Sequence, residues 1–222
     1  MSKNALVTLT DPTSVAAEAY RTLRTSIEFA NVDTPIKTLL VTSAGPDSDK
    51  DVTLANLAIT MADGGRNVIL VDSDLRQPQL HTLFGIGNAR GFTDMFRDDA
   101  VFNAPPWQTI PDTTLKVLPS GQLPTIPSQI LNSKKLVQVL EKLAEGADMV
   151  LFSAPPLSTV TDAALLASKV DGTLLVVKAN VSKREHVLEA KDRLEKVNAN
   201  LIGAVLSNAA VDASLKEYYQ AM

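Results

Sequence analysis

Short apolar, β-branched runs that alternate with helical stripes constrain this chain more than any other feature of its sequence. Residues 36–42, 67–71, 149–152, 173–178 and 201–206 are such runs, and 115–118 is a shorter one. Between them, Leu54, Leu57, Ala58 and Met61, and later Leu136, Val139, Leu140 and Leu143, recur at helical spacing. Further helices are expected at about 160–169 and 183–196. Strands without polar alternation are buried on both faces, as in parallel sheets covered by helices. The expected fold class is therefore α/β, a parallel sheet with helices on both faces in three layers. Right-handed crossovers then place the loops after residues 43, 72 and 153 along one sheet edge, where such folds bind ligands.

At 222 residues, 45% of them hydrophobic, the chain suits one domain with a full core. A net charge of −4 gives no electrostatic case for nucleic acid as a partner. With no cysteine and only His81 and His186, disulfides, thiolate chemistry and histidine-rich metal sites are excluded. No apolar run reaches the roughly 18 residues of a membrane span and the N-terminus does not read as a signal peptide, so a cytosolic protein is expected. Residues 1–10 read as a lead-in, 11–31 as a helix, 85–132 as a proline-rich irregular region, and 209–222 as a short tail.

The stretch 37–52 combines a strand, a loop and a helix start, as in a phosphate-binding loop with the template G-x-x-x-x-G-K-[ST]. Only the lysine, Lys50, matches; Ala44 stands at the first glycine, Asp49 at the second and Asp51 at the hydroxyl position. Such loops work because consecutive backbone N–H groups and a helix N-terminus point at the anion. A carboxylate ~4 Å from a phosphate oxygen is repelled by about 4 kcal/mol at an effective dielectric near 20. Asp47, Asp49 and Asp51 are expected to surround Lys50, with the loop acting as its own phosphate substitute. Lys50 would then pair with Asp49, Asp51 or Asp72.

Several stretches in order resemble the bacterial tyrosine kinases of capsule and exopolysaccharide synthesis, in their separate-chain form. Glu18-Ala19-Tyr20-Arg21-Thr22-Leu23-Arg24 is similar to that family's E-x-x-R-x-x-R assembly helix, and Thr42-Ser43-Ala44-Gly45-Pro46 leads into its phosphate loop. Val71-Asp72-Ser73-Asp74-Leu75-Arg76 resembles its second acidic motif, and Pro119-Ser120-Gly121, Ala154-Pro155-Pro156, Thr161-Asp162-Ala163 and Val170-Asp171-Gly172 match later landmarks. The resemblance implies a P-loop NTPase-like domain, ATP and Mg²⁺ as cofactors, and phosphate contacts from Gly45, Lys50 and positions 49 and 51. It also implies a base-side role for Asn208, metal contacts from Asp51 and Asp72, and catalytic roles for Asp72, Asp74 and Arg76. Glu18, Arg21 and Arg24 would join copies of the chain or an active paralogue, and Tyr218 and Tyr219 would be phosphoacceptors. The implied partner is the tail of a membrane polysaccharide chain-length regulator, with the protein peripheral to the inner membrane face. Partitioning and division-site ATPases share the fold, but they carry an extra lysine where this chain has Ala44 and Gly45.

The departures fall together. Besides Ala44, Asp49 and Asp51, the strand end at 151–153 has Ser153 where the family has an aspartate, and Val205-Leu206-Ser207-Asn208 displaces the family's asparagine. The expectation is a catalytically impaired protein that acts as a regulatory or assembly subunit. The alternative is an active autokinase with an unusual metal site that includes Asp51.

Overall fold

The computed structural model describes residues 5–30, 35–46 and 48–210. Its sheet has the order β3-β4-β2-β5-β1-β6-β7. Its longer members are β1 (Thr38–Ser43), β2 (Val68–Asp72), β5 (Met149–Ser153), β6 (Gly172–Lys178) and β7 (Leu201–Ser207), the last on the edge opposite β3. These strands pair in parallel, as does β4 (Lys116–Leu118) with β2, while β3 (Gln108–Thr109) runs antiparallel on the outer edge. The parallel sheet read from the apolar runs is thus present, with one antiparallel strand that the irregular 85–132 region did not announce.

Successive strand residues point to opposite faces. Leu39, Val41, Val68 and Leu70 therefore pack on one side, with α3 (Lys50–Asp63) and α2 (Val15–Ala30). Leu40, Ile69, Val71, Val150 and Phe152 pack on the other, with α7 (Lys135–Glu145), α8 (Asp162–Ala167) and α9 (Arg184–Lys196). These are the three layers. The proline-rich region is less loose than its composition suggests. It holds α4 (Leu80–Phe84) just before it, a 3-10 turn at Phe92–Phe96, α5 (Asp99–Asn103) and α6 (Pro127–Leu131).

The lead-in contributes too. A single turn, α1 (Val7–Thr10), is tied to α3 through Asn56: Thr8 donates to Asn56 Oδ1 from its backbone N–H and its hydroxyl at 3.0 and 2.8 Å. Asn56 Nδ2 in turn donates to the carbonyls of Ala5 and Val52. No helix among the described residues is long and apolar enough to cross a membrane.

Candidate functional site

Strand order decides which residues meet. β5 lies between β1 and β2, so Ser153 at its end registers against Asp72 on one side and Val41 on the other. The loop after β1 curls over this point and delivers Lys50 as the first residue of α3. Lys50 Nζ donates to both carboxylate oxygens of Asp51 at 2.8 and 2.9 Å and lies 2.9 Å from Asp74 Oδ2. Ser153 Oγ is 3.3 Å from the same ammonium and donates to Asp51 Oδ1 at 2.5 Å. The Lys50 and Asp74 side chains are only 7% and 3% exposed, so this is a buried network.

Burial by itself pulls the Lys50 pKa down. The charges of Asp51 and Asp74 and their hydrogen bonds outweigh it and leave the pKa raised. Asp74 is held from behind, because its Oδ1 accepts from the backbone N–H groups of Arg76 and Gln77 at 3.2 and 3.0 Å. Asp72 Oδ2 accepts from Leu80 N at 2.9 Å, but Oδ1 is buried without a partner. Desolvation first, and then the Asp51 charge, push the Asp72 carboxyl up to about 7 against the opposing Leu80 bond and Lys50 charge.

Three expectations need correction. Asp49 does not crowd Lys50: its carboxylate turns to the far side of the loop, 2.8 Å from Lys178 Nζ at the end of β6, and accepts from Ser207 Oγ at 3.3 Å. It makes no side-chain cap on α3. Of the loop carboxylates Asp49 and Asp51, Lys50 therefore contacts Asp51 alone, and Asp47 lies outside the described residues. Arg76 leaves its own motif and grips Asp162 with two bonds, Nε to Oδ2 at 2.7 Å and Nη2 to Oδ1 at 3.2 Å. Asp72 is not paired to Lys50; it feels that charge only at longer range.

On helix α2, Glu18 and Arg21 form an ion pair on the surface, while Arg24 turns inward and donates to the Thr60 carbonyl at 2.9 Å. A Cβ on Gly64 would come within 2.6 Å of the Arg24 guanidinium, so the glycine makes room for this contact. Arg24 thus ties α2 to the end of α3 while still lining the same surface depression as Glu18 and Arg21. Gly45 packs near His186 and Ser158, and Ser43 Oγ donates to its carbonyl. Asn208 follows the end of β7 with φ 54° and lies at the rim of a groove that also includes Asp49. Tyr218 and Tyr219 lie outside the described residues.

Sequence reasoning missed Lys178, Ser207 and Asp162 as partners. A lysine that ends an otherwise apolar strand, beside a loop rich in aspartate, was the available signal for Lys178. Nothing in the chain signalled that Ser153 would bond to Asp51 directly.

The tyrosine-protein kinase YwqD of Bacillus subtilis is 36% identical over 207 residues, spanning 93% of this chain and 86% of the relative. The chain belongs to the bacterial tyrosine-kinase family of capsule and exopolysaccharide synthesis. The kinase domain of the Escherichia coli tyrosine kinase ETK superposes with a TM-score of 0.87 at 31% identity, covering 94% of this chain and 82% of that one. The chimerical protein CapA2B2 gives 0.84 at 28%, covering 91% and 89%. No protein-family model matches the chain.

The family's cofactors test the site. Positions 51 and 153 together offer one carboxylate and one hydroxyl, and both are already bonded to each other and to Lys50. Among the described residues, no group of three or more His, Asp or Glu side chains is arranged to hold a metal ion. A triphosphate arriving here would meet Asp51 and Asp74 on the very ammonium it needs. The residues present do not fit Mg-ATP in this arrangement.

Proposed function

We propose that this protein is a non-catalytic member of the family, a pseudokinase with a degenerate ATP-binding site, that serves polysaccharide synthesis as a regulatory or assembly subunit. The observation that carries the reading is the closed Asp51–Lys50–Asp74 network with Ser153 bonded across it. The lysine that would bind phosphate spends its hydrogen bonds on carboxylates of the same chain. The fold is thereby complete without a nucleotide, and ATP and Mg²⁺ bind weakly or not at all. Asp72, Asp74 and Arg76 then act in architecture: Asp74 neutralises Lys50, and Arg76 pins α8 through Asp162.

Its partner in this reading is the tail of a membrane chain-length regulator, which holds the protein at the inner membrane face. Copies of the chain, or a copy and an active paralogue, associate through the exposed side of α2. That side carries Glu18, Arg21, Thr22, Arg24 and Phe29, of which Phe29 is 72% exposed. Arg24 also bonds the Thr60 carbonyl, which fixes α2 against the end of α3. Light scattering of wild type against Glu18→Ala/Phe29→Ala tests this face; equal masses for an oligomeric pair of samples would remove it.

One observation favours a second reading, an active autokinase with a variant metal site. Asp72 has a buried oxygen without a partner and stands close enough to Asp51 to feel its charge. Incubation with Mg-ATP, alone and with the regulator's tail, followed by phosphotyrosine detection, separates the two. No signal is expected. A signal that Lys50→Ala abolishes would overturn the non-catalytic reading.

A further inference from the structure

The two edges of the sheet are guarded differently. On one side β3 is two residues long and runs antiparallel. On the other, β7 runs seven residues, Leu201–Ser207, without a charge or a proline, the usual devices against strand-to-strand pairing. Among the described residues no strand pairs with its outer side. Ile202 is an extra residue in its ladder with β6, so the regular stretch is 203–207. The Ser207 carbonyl accepts from the Ala179 N–H on the β6 side. By alternation, Ala204 and Leu206 aim their N–H and C=O groups outward. Register with Leu175 and Val177 puts the side chains of Ala204 and Leu206 on the face that α9 covers, and both are exposed, Leu206 by 58%. On the opposite face, α2 stands off from the end of β7 across a groove of about 580 Å³.

Helix α9 carries a matching surface. Ala190 and Leu194 point into the core, while His186 lies against Gly45 and Arg193 donates to the Leu157 carbonyl, both toward β1. Arg184, Leu188, Lys191 and Glu195, at i, i+4, i+7 and i+11, therefore form the opposite stripe, above the β7 edge. All four are exposed, Leu188 by 53%. The stripe begins with a positive charge and ends with a negative one.

We propose that the β7 edge pairs with the same edge of a second copy, antiparallel about a two-fold axis through Val205. Ala204 then stands opposite the partner's Leu206 and exchanges both backbone hydrogen bonds with it, which uses the outward groups of both. The axis is perpendicular to the sheet, so the two α9 helices lie on one face of a joined sheet and run antiparallel. A strand spacing of about 4.8 Å puts their axes about 10 Å apart, a normal helix packing distance. From the sheet edge where β7 ends and α9 begins, Val205 lies about 7 Å along β7 and the midpoint of the stripe about 8 Å along α9, so one axis serves both. It sets Arg184 against the partner's Glu195, and Leu188 against the methylenes of the partner's Lys191. A second copy is favoured over a foreign strand because the stripe complements its own reverse. The exposed side of α2 is not used, so the inference holds whether or not copies also meet there.

The test uses the full chain with Glu18→Ala/Phe29→Ala, which takes the α2 face out of the measurement. Sedimentation should show a dimer at high micromolar concentration. Arg184→Glu and Glu195→Arg should each raise its Kd about tenfold or more, and the two reversals together should restore it. A monomer at every concentration overturns the proposal, as do reversals that change nothing or do not rescue each other. A dimer seen only with Glu18 and Phe29 intact belongs to α2 and overturns this proposal alone. The chain has no cysteine, so Val205→Cys gives a second reading. Opposed to its own copy at a Cα separation of about 4.5 Å, it should oxidise to a covalent dimer, faster as protein concentration rises. Glu141→Cys, exposed on α7, should not. Equal linking by the two variants counts against the β7 pairing and overturns it.

Discussion

Asp49 and Asp51 sit two residues apart, where the phosphate loop enters α3, and end in opposite situations. Asp51 enters a buried network with Lys50, Asp74 and Ser153, where its side chain is 15% exposed. Asp49 faces outward to Lys178 in a pair whose side chains are 26% and 32% exposed. Charge, residue type and local sequence are nearly the same, so the surroundings set the energetics. A buried pair has lost its water and depends on its partner, and removing one member costs about 3–5 kcal/mol. A pair still in contact with water contributes about 0–1 kcal/mol. The inner aspartate is thus committed to structure, while the outer one is held loosely at the mouth of the groove.

The most severe challenge to this contrast is Lys50→Met, which removes the cation and leaves Asp51 and Asp74 facing each other. Stability measured by urea denaturation at pH 7.5 should fall by about 3–5 kcal/mol. A loss under about 1 kcal/mol would mean that the inner network is no more committed than the outer pair.

Asp72 extends the same point to pH. Its carboxyl titrates near 7 in the fold and near 3.8 when unfolded, so as pH rises the unfolded chain releases this proton first. Between about pH 4 and 7 the unfolded state binds fewer protons, and stability falls through that window; above it the penalty is constant. Asp72→Asn removes the slope. It should match wild type near pH 4 and exceed it at pH 8 by about 4 kcal/mol, at roughly 1.4 kcal/mol per pKa unit. Parallel stability curves for the two proteins would show that Asp72 is not strained by ionisation.

A combined Asp49→Gly/Asp51→Thr/Ser153→Asp chain restores the family's residues at both loop positions and the strand end. If the non-catalytic reading holds, it should bind Mg-ATP where wild type does not, seen as about 2.7 kcal/mol of added stability at a hundredfold excess over Kd. Were Mg-ATP to stabilise it no more than wild type, these departures would not be the cause of the closed site. The smallest effect is expected outside: Lys178→Ala should cost no more than about 1 kcal/mol. A loss comparable to that of Lys50→Met would erase the distinction between the two sides of the loop.

Much of the fold was legible because its signals are local. Residues 67–71 and 149–152 are apolar without alternation, which only a strand covered on both faces explains, and both became central strands. Leu136, Val139, Leu140 and Leu143 gave α7 its inner face. The antiparallel β3 was not legible: Gln108 and Thr109 carry no apolar pattern, and their strand exists because β4 offers an edge. For the site, the sequence revealed that the glycine and hydroxyl of the phosphate loop were replaced by carboxylates, since that is a matter of identity at known spacing. It misjudged where Asp49 would point, whereas the pairing of Lys50 with Asp51 is the one it allowed.

Sequence alone was enough for the layered α/β architecture and the excess of negative charge around Lys50. Periodicity and charge are written residue by residue, and their consequences come from spacing alone. The assembled fold chose the partners. Asp51 meets Ser153 across a separation of 102 positions, and Lys178 meets Asp49 across 129. Both meetings exist because β5 lies on one side of β1 and β6 on the other. A short side chain can reach only what the adjacent strand ends present. The order of strands in the sheet therefore assigned one aspartate to the buried lysine and the other to the rim.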